Sequence, residues 1–234
     1  MSYGIKGFTP TSLTDWPGKI SAVIFLPRCN FRCHYCYNPE FINDPDGLPD
    51  IEDDEIFSYL EKKRKWIDGV VMLGGEPTIH PKFMDIVKKV KAMNLGIAVH
   101  TNGTTPDIVK QLIDENLVDY FAMDIKAPFS KYKKVVNVDI DVKKVEESAK
   151  IIMDSNVDYE FRTTVVPDLI TKEDIKEMGE SLKGAKRFFI QQFKPGNTLD
   201  PEYQRKKVYL IPELNELKKE AEKYFKEVQI RGPQ

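Results

Sequence analysis

The sequence predicts an α/β fold, a parallel sheet covered by helices, and three observations carry that expectation. Short β-prone runs alternate with longer segments of helical periodicity, strand then helix, about six times over 234 residues. The helical segments are amphipathic, so each has one face to bury. The concentrated polar runs fall just after β-prone runs, as expected where the carboxyl ends of parallel strands converge on one face. No sequence repeat of fixed period accompanies the alternation, so the repetition is architectural.

In chain order, Ser21 to Leu26 (SAVIFL) reads as a buried strand, and a cysteine loop begins directly after it. Asp53 to Trp66 has helical spacing at Ile56, Phe57, Leu60 and Ile67, with acidic residues at its start. Val70 to Leu73 is a strand ending in Gly74-Gly75-Glu76-Pro77. Pro81 to Met93 places Phe83, Ile86, Val87 and Val90 on one stripe, and Ile97 to Val99 follows as a strand before Thr101-Asn102-Gly103. Pro106 to Glu115 is a helix opened by proline. Tyr120 to Ile125 is a strand ending in Asp124-Ile125-Lys126, and Val142 to Ser155 is helical. Tyr159 to Val166 is strongly β-prone, with Arg162 and Thr164 on one side of it by period two. Thr171 and Asp174 form a capping-box pattern for a helix through Leu182. Arg187 to Phe193 is a strand carrying Gln191 and Gln192 near its end, and Glu213 to Phe225 is a helix. A short strand around Val228 to Ile230 is weakly signalled. Asn38 to Asp50 and Lys194 to Lys207, rich in Pro, Gly and Asp, read as long functional loops rather than linkers.

The length suits a single domain over 1–234, with the cysteine loop at 27–40 and the core at about 20–230. Lys and Arg number 35 against 37 Asp and Glu, a balance that offers no electrostatic footprint for nucleic acid or an anionic membrane. No apolar run approaches the ~20 residues that span a bilayer. The first residues lack the basic start and apolar core of a signal peptide, so the expected location is the cytoplasm. All three cysteines lie within eight residues, which makes a poor disulfide framework and suggests a metal site in a reducing compartment.

The run Cys29-Asn-Phe-Arg-Cys33-His-Tyr-Cys36 spaces its thiols so that one tight loop gathers them, and thiolates are natural ligands for iron–sulfur clusters. Three ligands on a four-iron cluster leave one iron open, as a reactive centre needs. Two other readings stand beside this one. A structural zinc would recruit His34, His80 or His100 as fourth ligand, although His34 is awkwardly wedged between two of the thiols. A redox pair of Cys33 and Cys36 would leave Cys29 unexplained.

The C-x-x-x-C-x-x-C spacing, with Tyr35 before the last cysteine and a strand before the first, resembles the radical S-adenosylmethionine (SAM) superfamily. The flanking text GFTPTSLTDWPGKISAVIFLPRCNFRCHYCYNPEF is similar to the activating enzymes of glycyl radical enzymes, in particular the activators of anaerobic ribonucleoside-triphosphate reductase. The resemblance runs from about Gly7 to about Asp200. It implies a partial (β/α)6 TIM-like barrel and a [4Fe–4S] cluster on Cys29, Cys33 and Cys36, with SAM chelated at the open iron. It further implies reductive cleavage of SAM to methionine and a 5′-deoxyadenosyl radical, which takes hydrogen from a glycine of the partner. Gly74, Gly75 and Glu76 then match the element that meets the SAM amino group, and Tyr35 the aromatic beside adenine. Asp124 and Lys126 match a D-x-K pair near SAM, and Arg162 in R-x-x-V-V-P matches a clamp for its carboxylate or ribose. Thr101 and Asn102 match polar residues lining the same cavity. The implied partners are a glycyl radical enzyme and an electron donor such as flavodoxin or ferredoxin.

Three positions depart from relatives. His100 stands where some activases place an acid beside a monovalent cation, which puts that cation site in doubt. Ile190-Gln191-Gln192-Phe193 stands where some carry a histidine near SAM, so Gln192 is expected to supply an amide contact instead. Tyr37 replaces a common histidine, and no further cysteine is available for an auxiliary cluster. Two alternative functions remain at this stage: radical SAM chemistry on a small molecule, and a non-catalytic zinc-stabilised module.

Overall fold

In a computed structural model, residues 2–232 are described, and they form one eight-stranded sheet whose strands lie side by side in chain order. Strand β1 (Gly7–Ser12) runs antiparallel to β2 (Ser21–Leu26). From β2 onward every pairing is parallel. Helices α1 (Glu40–Asn43) and α2 (Asp53–Lys63) lead to β3 (Gly69–Gly74), and α3 (Phe83–Lys91) leads to β4 (Gly96–Thr101). Helix α4 (Pro106–Asp114) leads to β5 (Tyr120–Asp124), then α5 (Tyr132–Val136) and α6 (Val142–Asp154) to β6 (Asp158–Val165). Helix α7 (Lys172–Ser181) leads to β7 (Arg187–Gln192), and α8 (Ile211–Ala221) to β8 (Glu227–Arg231). Neighbouring parallel strands joined by helical crossovers wind in one direction, as in a TIM barrel, but β1 and β8 are not paired with each other. The result is six β/α units and a seventh parallel strand, an open barrel of the kind expected.

The strand alternation decides what each face does. Ala22, Ile24, Leu26, Val70, Met72, Ile97, Val99, Phe121 and Met123 point outward into the helical layer and are at most 1% exposed. The residues alternating with them, Val23, Val71, Ala98, Tyr120 and Ala122, point inward and pack with Trp16 to fill the barrel interior. Farther along the same inward rows come His100, Asp124, Arg162, Thr164 and Gln191, so the barrel turns from apolar to charged toward the carboxyl ends of its strands.

The elements follow the sequence expectations closely, with a capping box at Thr171 and Asp174 heading α7 as read from the pattern. The weakly signalled last strand is formed, as Glu227–Arg231. Strand β1 was not expected, because GFTPTS contains a proline and lacks alternation; as an outer antiparallel strand it tolerates Pro10. Of the two long loops, the first contains α1 and the second a 3-10 turn at Pro201–Arg205. No helix among the described residues is long and apolar enough to cross a membrane.

Candidate active site

A cavity of about 340 Å³ opens at the carboxyl ends of the strands. It lies in the size range of small-ligand sites. Every residue assigned from sequence to the cluster or to SAM lines it: the three cysteines, Tyr35, Gly74, Gly75, Glu76, Thr101, Asn102, Asp124, Lys126, Arg162 and Gln192.

The Gly74-Gly75 turn is glycine for steric reasons that the geometry makes explicit. Gly74 has φ 127°, and a Cβ on Gly75 would stand 2.0 Å from the Arg28 carbonyl oxygen. Backbone hydrogen bonds from Gly75 N to Leu26 O (2.9 Å) and from Glu76 N to Arg28 O (2.8 Å) hold this turn against the start of the cysteine loop. Glu76 is 1% exposed and accepts from Thr78 N (3.2 Å), Thr78 Oγ1 (2.6 Å), Thr101 Oγ1 (2.8 Å) and Asn102 N (2.6 Å). Burial pushes its carboxyl up while those donors pull it down. Its main structural work is to tie the end of β3 to the turn after β4. One carboxylate oxygen, Oε2, has a single protein donor and retains acceptor capacity for a ligand.

Across the cavity, Asp124 divides its two oxygens between two cations. Arg162 Nε donates to Oδ1 at 3.0 Å, and Lys126 Nζ to Oδ2 at 2.9 Å. Burial alone would raise the Asp124 pKa; Arg162 and then Lys126 outweigh it and hold it at about 2. Lys126, opposed by burial but favoured by Asp124, stays protonated with its pKa well above the usual lysine value. Two cations on one carboxylate leave a net positive wall, suited to an anionic ligand group. His100 Nε2 donates to the Asp15 carbonyl at 2.8 Å, since a carbonyl only accepts; Nδ1 is therefore the acceptor for Arg162 Nη1 at 3.2 Å. Burial and then Arg162 drive the His100 pKa down to about 3, so the ring is neutral. At the position where an acid would face a cation, this chain thus has a neutral ring already engaged by a guanidinium.

Beneath these groups lies a second ionic cluster that sequence reading passed over. Glu160, 1% exposed, receives Tyr120 Oη at 2.5 Å and Arg231 Nη2 at 2.8 Å, with Arg231 Nη1 on its other oxygen. The Arg231 guanidinium also lies 3.5 Å above the Phe189 ring. The signal was present: Glu160 is in phase with Arg162 and Thr164 on a β-prone run, which places it inside the barrel. Arg231 was obscured because its strand is barely marked in sequence.

The cysteine loop is braced from both sides. Arg32 N donates to Val136 O (2.9 Å), and Arg32 Nη1 folds back to Cys29 O (2.7 Å) and Phe31 O (2.8 Å). The 194–207 loop lies against the other side through Leu199 N to Cys36 O (3.0 Å) and Asp200 N to His34 O (3.0 Å). Tyr37 Oη accepts from Lys194 N at 2.8 Å. Burial pushes the thiols up, Cys29 to about 12 and Cys33 to about 11, so the free protein holds them protonated until a metal displaces the protons. All three cysteines are unpaired.

The donor set fits a cluster better than a single ion. Among the described residues no three His, Cys, Asp or Glu side chains are gathered closely enough to hold one metal ion. The three thiols nonetheless line one cavity, an arrangement suited to a cluster in which each thiolate takes its own iron. The histidines that a zinc site would recruit are engaged elsewhere. His34 Nδ1 is 2.8 Å from Asp200 and its ring stacks on Tyr203, while His100 is bound inside the barrel. His80 Nδ1 accepts from Lys82 N at 3.3 Å.

Comparison with known proteins agrees with this chemistry. The profile of the radical SAM superfamily matches residues 23–185. A protein of Methanocaldococcus jannaschii provisionally named a glycyl-radical enzyme activating enzyme is 35% identical over 232 residues, covering 97% of this chain and 95% of its own. The pyruvate formate-lyase-activating enzyme of Clostridium pasteurianum is 27% identical over 237 residues, covering 96% and 97%. Among solved structures, Streptococcus suis SuiB bound to S-adenosylmethionine shares the fold with a TM-score of 0.64 at 14% identity. That match covers 90% of this chain, which spans about half (52%) of the SuiB chain. The superfamily's cofactors are a [4Fe–4S] cluster and SAM, and the thiols, glycine turn and paired cations stand together in one cavity. With a family match across most of the barrel and full-length similarity to activating enzymes, the chain belongs to the radical SAM superfamily of enzymes.

Proposed function

We propose that this protein activates a glycyl radical enzyme by abstracting hydrogen from the Cα of one glycine in a partner protein, and that the partner is an anaerobic ribonucleoside-triphosphate reductase. The observation that carries this reading is one cavity joining three thiols to a cationic wall, in a barrel left open between β1 and β8. An open side admits an extended segment of another protein, which a closed barrel would exclude.

In this reading Cys29, Cys33 and Cys36 would hold the cluster, and Asp124, Lys126 and Arg162 would help to hold SAM in the same cavity. Bound there, cluster and SAM supply a one-electron cleavage that yields methionine and a hydrogen-abstracting 5′-deoxyadenosyl radical. Lys126 and Arg162 neutralise the SAM carboxylate, and Asp124 keeps both cations aimed. The Gly74-Gly75 turn offers backbone close to the SAM amino group, with Glu76 Oε2 as its carboxylate acceptor. Tyr35, 3% exposed with no partner for its hydroxyl, packs beside the adenine. The Gln192 Oε1 atom is buried without a donor and would accept a hydrogen bond from SAM. Thr101 and Asn102 frame the cavity through their bonds to Glu76. The apolar and aromatic surround excludes water from a reactive intermediate. The electron comes from a low-potential carrier such as flavodoxin or ferredoxin.

Anaerobically reconstituted protein is to be analysed for iron, sulfide and zinc, then mixed with SAM and dithionite. About four irons per chain and release of 5′-deoxyadenosine are expected. Zinc without iron, with no nucleoside product, would sink the proposal.

A further inference from the structure

We propose that Asn102 is a positioning residue for the cluster, holding an amide N–H on the sulfur of Cys29 and so setting the ease with which the cluster is reduced. The inference rests on Cys29 being a cluster ligand.

The directions of the hydrogen bonds around Asn102 fix how its amide is turned. Asn102 is 4% exposed, and its side-chain oxygen accepts from Thr104 N at 3.0 Å. A backbone N–H only donates, so that atom is the oxygen, and the opposite atom of the amide is the nitrogen. The other bonds then have no freedom of sign. Asn102 Nδ2 donates to Asn30 Oδ1 at 2.8 Å, Asn30 Nδ2 to Thr104 Oγ1 at 2.8 Å, and Thr104 Oγ1 to Asn102 Oδ1 at 2.7 Å. This closed ring uses one hydrogen of the Asn102 amide. The other points to Cys29 Sγ at 3.9 Å, a long contact with a neutral thiol that strengthens when the sulfur becomes anionic.

The ring also fixes where that amide sits. Asn30 follows Cys29 in the cluster loop, so ring and sulfur move together. The backbone N–H of Asn102 is anchored on the buried Glu76, which ties the assembly to the end of β3. Phe31 N gives the same sulfur a second donor at 3.4 Å, so Cys29 is the thiol with two N–H groups directed at it. Hydrogen bonds to cluster sulfurs favour the reduced, more negative state and raise the potential. Cys29 is thereby the ligand through which the frame of β3 and β4 adjusts the cluster, and the strand-end Asn102 faces sulfur rather than SAM.

The test compares full-length, cluster-loaded wild type, Asn102→Ala and Thr105→Val in anaerobic redox titrations followed by electron paramagnetic resonance (EPR). Thr105 Oγ1 donates to Thr78 Oγ1 at 2.5 Å, so its loss loosens the same polar frame without touching sulfur. The expected result is a more negative midpoint in Asn102→Ala, the reduced-to-oxidised ratio at a fixed poise falling about threefold to tenfold, with Thr105→Val at the wild-type midpoint. Equal midpoints in wild type and Asn102→Ala would overturn the inference. Should Asn102→Ala fail to hold iron, Asn102→Ser, which keeps a small donor, is titrated in its place; failure of both beside a loaded Thr105→Val would make Asn102 structural and end the tuning role. A wild type that takes up no iron would instead strike the proposed function itself.

Discussion

A single methyl group on Gly75 tests how the cavity is built. In Gly75→Ala the new Cβ would lie 2.0 Å from Arg28 O and 2.5 Å from Arg28 C, both backbone atoms that cannot swing aside. Restoring a separation of about 3.5 Å moves the turn or the cysteine loop by roughly 1.5 Å. Such a shift disrupts two backbone hydrogen bonds, Gly75 N to Leu26 O and Glu76 N to Arg28 O, that join the two segments. Overpacking and those bonds together cost about 3–5 kcal/mol. For a domain of this size that corresponds to a Tm lower by roughly 6–20 °C. The displaced cavity wall should also weaken SAM binding, because a misplacement of about 1 Å in a site commonly costs ~100-fold. Anaerobic thermal unfolding and equilibrium SAM binding read both effects. Wild type measured under the same conditions is the reference. A Gly75→Ala protein that melts within about 2 °C of wild type and binds SAM equally well would refute the steric account.

Four further outcomes follow from the same geometry. Cys33→Ala should abolish iron uptake and SAM cleavage while leaving the far-ultraviolet circular dichroism unchanged, since Cys33 lies in the loop between β2 and α1, outside every strand and helix; retained cleavage would contradict the ligand assignment. Trp16→Ala empties the inner core and should cost about 3–5 kcal/mol in urea unfolding, with iron uptake at the opposite end retained. Lys126→Met leaves Asp124 with one cation and should raise the KM for SAM more than tenfold, and an unchanged KM would remove Lys126 from the anionic-ligand wall. His100, held at about 3 when folded against an ordinary 6.5, takes up its proton only in the unfolded chain between those values. Stability should therefore fall as pH drops from about 6.5 toward 3, and His100→Gln should flatten that slope in melts of the metal-free protein; identical slopes would refute the assignment.

Much of this architecture was legible because its signals are local. The alternation of β-prone and amphipathic runs marked the succession of strands and helices, and the placement of each polar run after a strand pointed to the face where the cavity lies. The site residues that the resemblance implied line one cavity, because strand-end residues of a parallel barrel converge on one face. What escaped were features fixed by pairing rather than by pattern. Strand β1 is made by its contact with β2 despite Pro10. The Glu160–Arg231 pair joins residues 71 positions apart, and only the register of β6, β7 and β8 brings them together. Glu76 illustrates a subtler shift. Its residue type suggested a ligand acceptor, whereas four protein donors show it first as the joint between two strand ends. The same applies to His34, a zinc candidate by adjacency that the 194–207 loop claims through Asp200 and Tyr203.

The central claim is that this cavity transfers a radical to glycine in another protein. The direct measurement is EPR on the loaded enzyme mixed anaerobically with SAM, a one-electron reductant and anaerobic ribonucleoside-triphosphate reductase. The account predicts a carbon-centred radical on the reductase, formed with one 5′-deoxyadenosine per radical and lost when the target glycine is replaced by alanine. Nucleoside release that proceeds at the same rate with and without the reductase, and no radical on that protein, would contradict it.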